Sequence, residues 1–501
     1  MIKPSLKKII LSLLSLLFII QLGSVNAQES KMVLTLDEVI AIAQRQSPAA
    51  LSAAHRFRSS YWYYSNYKAT LMPKLTLNAT IPSLSKAIEQ VTTTEGDVFY
   101  RSNQASYAGA LSLSKNIGLT GGQIFLDSRL NRIDHFRTDS TFTFYHSSPL
   151  IIGIDQPLFG YNKFKWLKKT EPLKYSEAER MYIEDMEQVS KSAARAFFSL
   201  LQAQIKLKIE QTNLANNDTL FQIAKGRYNI GTLAENELLQ IELSHLTSKA
   251  KYEDANIQLK SNAFELKSFL RLPEDVEVEL IPPAAPPVSF IEEQIALKEA
   301  HKNRAEVLGY DRRIIEAESE VSAAKANRRF SARLRAEYGL AQSTRAFEQL
   351  YRNPYESQSL EIGIIVPILD WGTSKSAIKL AESQRELTRT AVQQEIVDFD
   401  QEIYFKVMQY NLQKSQFAIA SKSDTVAQKR YEVTKQRYLI GKIGITELNI
   451  AQNEKDAARL SYVSILSDYW DSYFELRRLT HFDFLKKEQI LFDINSIPDL
   501  E

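Results

Sequence analysis

The chain has 501 residues, 44% of them hydrophobic and 24% charged, a balance that supports a folded core and excludes wholesale disorder. Its 62 basic and 60 acidic residues leave a formal charge of +2, too little to bind nucleic acid along a basic face. With no cysteine, a disulfide framework, a thiolate nucleophile and a Cys-ligated zinc or iron–sulfur site are excluded.

In chain order, Lys3, Lys7 and Lys8 precede an apolar run from Ile9 to Ile20, which ends in the small-residue segment Val25-Asn26-Ala27. This layout predicts a secretory signal peptide over residues 1–27, cleaved after Ala27. The run is shorter than the ~20 residues of a spanning helix, which disfavours an N-terminal anchor. No later apolar run has spanning length, so entry into a membrane would require a closed β-barrel.

A helix is expected from Thr35, with Asp37 and Glu38 in its first turn, to a stop before Pro73. The period then changes to two: Leu75, Leu77, Ala79 and Ile81 alternate with Thr76, Asn78 and Thr80. Further on, Ala105, Tyr107, Leu111 and Leu113 alternate with serines, Leu119-Thr120-Gly121-Gly122 supplies a turn, and Gln123 to Leu130 resumes a strand. A return strand with Leu150, Ile152 and Ile154 closes this region, residues 75–157, at Pro157. From Lys163 to Tyr228 the only proline is Pro172, which predicts a helix up to ~100 Å long at 1.5 Å per residue. A turn near Gly231 leads into a partner helix with Leu239, Leu243, Leu246 and Ala250 at steps of three and four. Residues 272–290, with Pro273, Pro282, Pro283, Pro286 and Pro287, read as an extended linker.

The same plan then recurs. A helix is expected over Ile291 to Arg329, interrupted at Asn303-Arg304, followed by strands over 334–367 and a long helix from Thr373 to Tyr438. A turn near Gly441 leads to a last helix carrying Leu460, Val463, Trp470 and Phe474. Landmarks coincide at one offset of 210 residues: Pro157 with Pro367, Arg227-Tyr228-Asn229-Ile230-Gly231 with Arg437-Tyr438-Leu439-Ile440-Gly441, and Glu237-Leu238 with Glu447-Leu448. The chain therefore reads as a first repeat (28–271), the linker, a second repeat (291–480) and a tail (481–501) that could form an equatorial collar. The fold class expected is mainly α with a membrane β-barrel, built from two helix-strands-helix-turn-helix repeats. Helices this long must pack lengthwise against equally long neighbours.

Little points to catalysis. Ser83 with Lys86 and Ser112 with Lys115 satisfy S-x-x-K, but neither begins a plausible helix. His55, His135, His146, His245, His301 and His481 lack any ligand spacing, and Gly121-Gly122 lacks the lysine and helix of a phosphate loop. The expectation is no enzyme, no catalytic residue, no metal and no cofactor.

The doubled plan, the strand ends Gln156-Pro157-Leu158-Phe159 and Val366-Pro367-Ile368-Leu369-Asp370-Trp371-Gly372, the Arg-Tyr blocks at 227 and 437, and the opening Leu34-Thr35-Leu36-Asp37-Glu38-Val39-Ile40 with Ser47-Pro48 together resemble the TolC-like outer-membrane efflux protein family. The resemblance covers roughly residues 34 to 480. It implies a homotrimer that forms a shared β-barrel in outer-membrane lipid and an α-barrel tunnel in the periplasm. Such a trimer serves as passive exit duct of a tripartite efflux or type I secretion system. The partners implied are a periplasmic adaptor (membrane fusion) protein and an inner-membrane RND or ABC transporter. A periplasmic coiled-coil adaptor or scaffold without transport activity is the alternative, distinguished by having no lipid-facing strands.

The resemblance further implies that Gly231 and Gly441 form the periplasmic tip turns. It implies that Tyr228, Glu237, Tyr438 and Glu447 line or close the pore mouth, with Pro157 and Pro367 at strand-to-helix junctions. Where some family members carry a bridging arginine and a further acid after the second glycine, this chain has Ile443 and Ile450. A salt-bridged latch of that form is not expected, with Lys442 or Arg437 as the substitutes that the sequence offers. The first strand region also exceeds the second by 49 residues (157 − 75 against 367 − 334), room for one extra hairpin.

Overall fold

The computed structural model describes residues 31–493 apart from 95, 138, 139, 288 and 289; the expected signal peptide lies outside them. In chain order the elements are β1 (Lys31–Leu34), α1 (Leu36–Gln46), α2 (Pro48–Thr70), β2 (Lys74–Thr93), β3 (Gly96–Asn116), β4 (Gln123–Phe136), β5 (Thr141–Leu158), α3 (Lys163–Asn229) and α4 (Glu235–Leu270). There follow β6 (Glu277–Leu280), α5 (Glu293–Asn303), α6 (Ala305–Arg328), β7 (Ser331–Thr344), β8 (Tyr355–Ile365), α7 (Thr373–Leu439), α8 (Ile445–Thr480), β9 (Phe482–Asp483) and β10 (Glu488–Gln489). The offset of 210 residues read from the landmarks relates both ends of α3 to those of α7, each 67 residues long, and both ends of α4 to those of α8, each 36 residues long.

The chain forms two compact units, and neither coincides with a repeat. The described residues of 1–54, 182–303 and 402–496 make the first; those of 55–181 and 304–401 make the second. Each unit draws on both repeats, because equivalent stretches of the two copies bury their apolar stripes together.

The single helix expected from Thr35 to Pro73 is two. Thr35 and Glu38 form a capping box at the start of α1, and Ser47 then turns extended (φ −64, ψ 148). Pro48 follows as the first residue of α2, where its missing N–H costs nothing, and Ser47 Oγ accepts from Ala50 N at 3.1 Å. The interruption expected in the second copy lies between α5 and α6, where Arg304 is extended (φ −72, ψ 148).

In the first unit, part of the expected linker is a strand. The segment Glu277-Val278-Glu279-Leu280 pairs in parallel with β1, Lys31 opposite Glu277 and Leu34 opposite Leu280. Val278, Leu280 and Leu34 point into the core, and Gln204 clamps the strand by donating to Val278 O at 2.7 Å and accepting from Leu280 N at 3.2 Å. Four residues of period two are too few to stand out beside five prolines. The tail begins with the β9–β10 pair, and Asp483 ties it to α8 by accepting from Tyr473 Oη at 3.0 Å and Arg477 Nη1 at 2.9 Å. Residues 494–501 lie outside the described part.

In the second unit, β2-β3-β4-β5-β7-β8 form one six-stranded sheet with every neighbouring pair antiparallel. Four of these strands come from the first repeat and two from the second, so the 49 extra residues are a complete hairpin. No helix among the described residues is long and apolar enough to cross a membrane.

Candidate functional site

The tip turns lie in the first unit. Gly231 and Gly441 take left-handed φ values of +76° and +73°, and nothing lies within 4 Å of a Cβ built on either. The requirement is therefore conformational rather than steric. Gly231 N donates to Tyr228 O and Thr232 N to Arg227 O, both at 2.9 Å; Gly441 N donates to Tyr438 O and Lys442 N to Arg437 O at the same distance. Each turn thus closes its long helix with a Schellman pattern.

Beneath the turns sits a small apolar core of Ala224, Ile241, Tyr431, Ile445, Leu448 and Ala451, with Phe221, Leu238 and Tyr438 packed against it. It is assembled from positions one repeat apart: Phe221 with Tyr431, Leu238 with Leu448, Ile241 with Ala451. Of these pairs, Leu238 with Leu448 is already a landmark of the 210-residue offset in the sequence, whereas the other two emerge only from the packing. Gln240 Nε2 donates to Thr446 Oγ1 and Asn449 Nδ2 to Ser244 Oγ, both at 3.2 Å, stitching α4 to α8.

The two repeats are not equivalent at this end. Tyr438 packs into the core, whereas Tyr228 remains 40% exposed. Burial pushes the Tyr438 hydroxyl's pKa up, nearby Arg227 opposes this and Glu237 reinforces it. Glu237 thus acts on Tyr438 electrostatically, from one repeat to the other. Both glutamates are exposed and lie in the first turns of α4 and α8, where a carboxylate also favours the helix N-terminus.

Pro157 and Pro367 belong to the second unit. Pro157 is still within β5, opposite Arg333, and Pro367 follows the end of β8 by two residues. The helices beyond them are capped differently: Asn162 Oδ1 accepts from Lys165 N at 3.2 Å, and Asp370 accepts from Gly372 N at 2.9 Å and Ser374 N at 3.1 Å. Hydrogen bonding by Ser374 and Gly372 holds the Asp370 carboxyl below its ordinary pKa.

The sheet sorts its two faces along its central rows. On one face the register aligns Leu75, Leu113, Leu126, Ile152 and Tyr338, ending at Gln358 on β8, and beside them Ile124, Ile154, Ala336 and Leu360, beginning at Lys115 on β3. Ser114, Phe125, Gly153, Glu337 and Ser359 align on the other. This second face carries charge: Asp127 accepts from Ser112 Oγ at 2.5 Å and Arg129 Nη2 at 2.6 Å, and Arg333 grips Asp155 with two bonds of 2.6 and 2.7 Å. Gly153 is required by close approach, since a Cβ there would lie 2.2 Å from the Phe125 ring.

The two S-x-x-K matches lie on β2 and β3. Ser83 and Lys86 are three apart on one strand and so point to opposite faces, and Ser112 is engaged by Asp127.

Residues 296–480 match the family model described as outer membrane efflux protein. Among solved structures, the chain is similar to the Campylobacter jejuni CmeC outer membrane channel, at 15% identity and TM-score 0.65 over 89% of this chain and 85% of that one. It is also similar to the outer membrane protein VceC from Vibrio cholerae, at 14% identity and TM-score 0.62 over 89% of this chain and 95% of that one. The open state of the Neisseria gonorrhoeae MtrE outer membrane channel matches at 15% identity and TM-score 0.59, covering 89% of this chain and 88% of that one. No curated protein matches by sequence.

Proposed function

We propose that the chain is a member of the TolC-like outer membrane efflux protein family, a reading supported by the family-model match over residues 296–480 and by the fold it shares with outer membrane channels, and that it is the outer-membrane exit duct of a tripartite efflux or type I secretion system. The observation that carries this is the sheet with one face apolar along its central rows and the other charged, as a wall between lipid and a wet lumen requires. A periplasmic adaptor or scaffold without transport activity would have no use for such a sheet. The route is passive, and no residue is assigned a catalytic role.

The working form is a homotrimer. Within the first unit, α4 and α7 each bond to α3 and α8, yet each leaves an apolar seam outward. Phe405, Leu412, Ile419, Val426, Val433 and Ile440 repeat every seven residues and are 53–65% exposed; Leu239, Leu243, Leu246, Ile257 and Phe264 are 55–65% exposed. Such seams suit knobs-into-holes packing against neighbouring copies. A periplasmic adaptor and an inner-membrane RND or ABC transporter complete the assembly.

Membrane fractionation with mass photometry tests the reading: trimers from the outer membrane are expected, and monomers in the periplasm would overturn it. At the mouth, Tyr228, Glu237, Tyr438 and Glu447 are the proposed lining. Six carboxylates around one axis favour cations and multivalent blockers. The double variant Glu237→Gln/Glu447→Gln is expected to lose cation selectivity and block in planar bilayers at low salt, with trimer yield unchanged. Identical reversal potentials would leave the glutamates as helix-end acids only.

A further inference from the structure

We infer that the membrane barrel of this protein has eighteen strands, six from each of three copies, closed by pairing β2 of one copy with β8 of the next. The inference rests on the trimeric reading above and adds what closes the barrel and how wide it is.

The β2–β3 hairpin is part of the wall, not an appendage. β3 pairs with β4 without interruption from Gln104 opposite His135 to Asn116 opposite Gln123. Leu75 and Leu77 on β2 lie opposite Leu113 and Leu111 on β3, and Leu113 lies opposite Leu126 on β4. The apolar face therefore continues through both strands of the hairpin, and Thr76 and Ser112 continue the polar one. A hairpin standing outside the wall would have no reason to keep this register.

Two edges remain, β2 and β8. Their apolar residues are among the most exposed of the chain, Leu75 at 63% and Leu360 at 71%. An unpaired edge in lipid leaves a row of unsatisfied N–H and C=O groups, so it must be closed. Six strands are fewer than the smallest membrane barrels, so the sheet does not close on itself. The sheet alternates direction through an even number of strands, so β2 and β8 run oppositely. The edge of a second copy therefore continues the ladder antiparallel, and a third copy closes it. Residues 74–122, from the start of β2 to the last residue before β4, are removable in principle without changing topology, because β4 runs in the direction of β2. They add two strands per copy to a wall that would otherwise have four. Since barrel diameter grows roughly linearly with strand number, the hairpin makes the barrel about half again as wide, in the range where an aqueous channel remains.

The cysteine-free chain permits a direct test by disulfide trapping. Thr76→Cys or Asn78→Cys on β2 is combined with Ser357→Cys or Ser359→Cys on β8, all on the polar face, and the purified full-length protein is oxidised. At least one combination is expected to give covalent trimers on a denaturing gel. Gln123→Cys or Asn131→Cys on β4 with the same β8 partners is expected to give none. Deleting 74–122 should reverse this, bringing β4 to the edge and restoring links to β8. Trimers in which β4 links to β8 in the full chain, or in which no β2–β8 combination links, overturn the inference while leaving the duct intact. Monomers by mass photometry would instead overturn the trimeric reading on which it stands.

Discussion

Arg477→Ala is expected to lower the unfolding free energy by about 3–5 kcal/mol, the cost of leaving buried carboxylates without their cation. In the first unit, Arg477 Nε and Nη2 donate to Glu187 at 2.9 and 3.0 Å, and Nη1 donates to Asp483 at 2.9 Å. Glu187 and Asp483 are almost wholly buried. Burial pulls the guanidinium's pKa down, but Glu187 and then Asp483 more than restore it, leaving it above its ordinary value. One arginine thus holds α8, α3 and the tail together. Urea denaturation of detergent-solubilised protein measures the effect, and replacing Arg477 and Glu187 together by Met and Leu should cost less than Arg477→Ala, since only Asp483 is then left without the cation. A loss below about 1 kcal/mol for Arg477→Ala would mean that water reaches the site.

The neighbouring Glu475 makes the same region acid-sensitive. Burial raises its pKa, but Arg478, which donates two bonds of 3.1 Å, and Lys191, which donates one of 2.7 Å, bring it down to about 2. A carboxyl depressed in the folded state stabilises above its unfolded pKa and loses that contribution as pH falls toward the folded value. Stability from Glu475 is therefore full above about pH 4.5 and fades between there and about pH 2. Glu475→Gln should flatten the pH dependence in that window.

Ile152→Arg is expected to abolish outer-membrane trimers. Ile152 is 57% exposed on the apolar face, between Leu126 and Tyr338 on its neighbouring strands. An arginine facing lipid near the midplane costs about 2–4 kcal/mol per copy. Three copies incur that cost in one barrel. Ser359→Arg, on the opposite face, should leave trimer yield unchanged, since a charge there meets the wet lumen. Equal yields for the two variants, measured by membrane fractionation and heat-modifiable gel mobility, would show that the faces had been assigned the wrong way round.

Much of the protein was legible in its residues. The 210-residue offset located both long helix pairs, and the glycines at 231 and 441 marked the turns because positive φ favours glycine. Period-two runs marked the strands and, in the excess of the first copy, the additional hairpin. The break at Ser47-Pro48 has a local signal of its own, because proline at a first helical position marks a helix start. The strand at Glu277–Leu280 was masked by its prolines.

Sequence by itself determined the local grammar: which segments are helix or strand, where they turn, and that the plan is doubled. These follow from interactions within a few residues and from periodicity, which the chain carries in linear order. Tertiary structure alone decided that the six strands make one sheet, that Tyr438 is packed while its repeat partner Tyr228 is left exposed, and that Arg477 joins Glu187 and Asp483. Those outcomes depend on burial and charge compensation between residues up to hundreds of positions apart, and no local pattern encodes which partner will arrive.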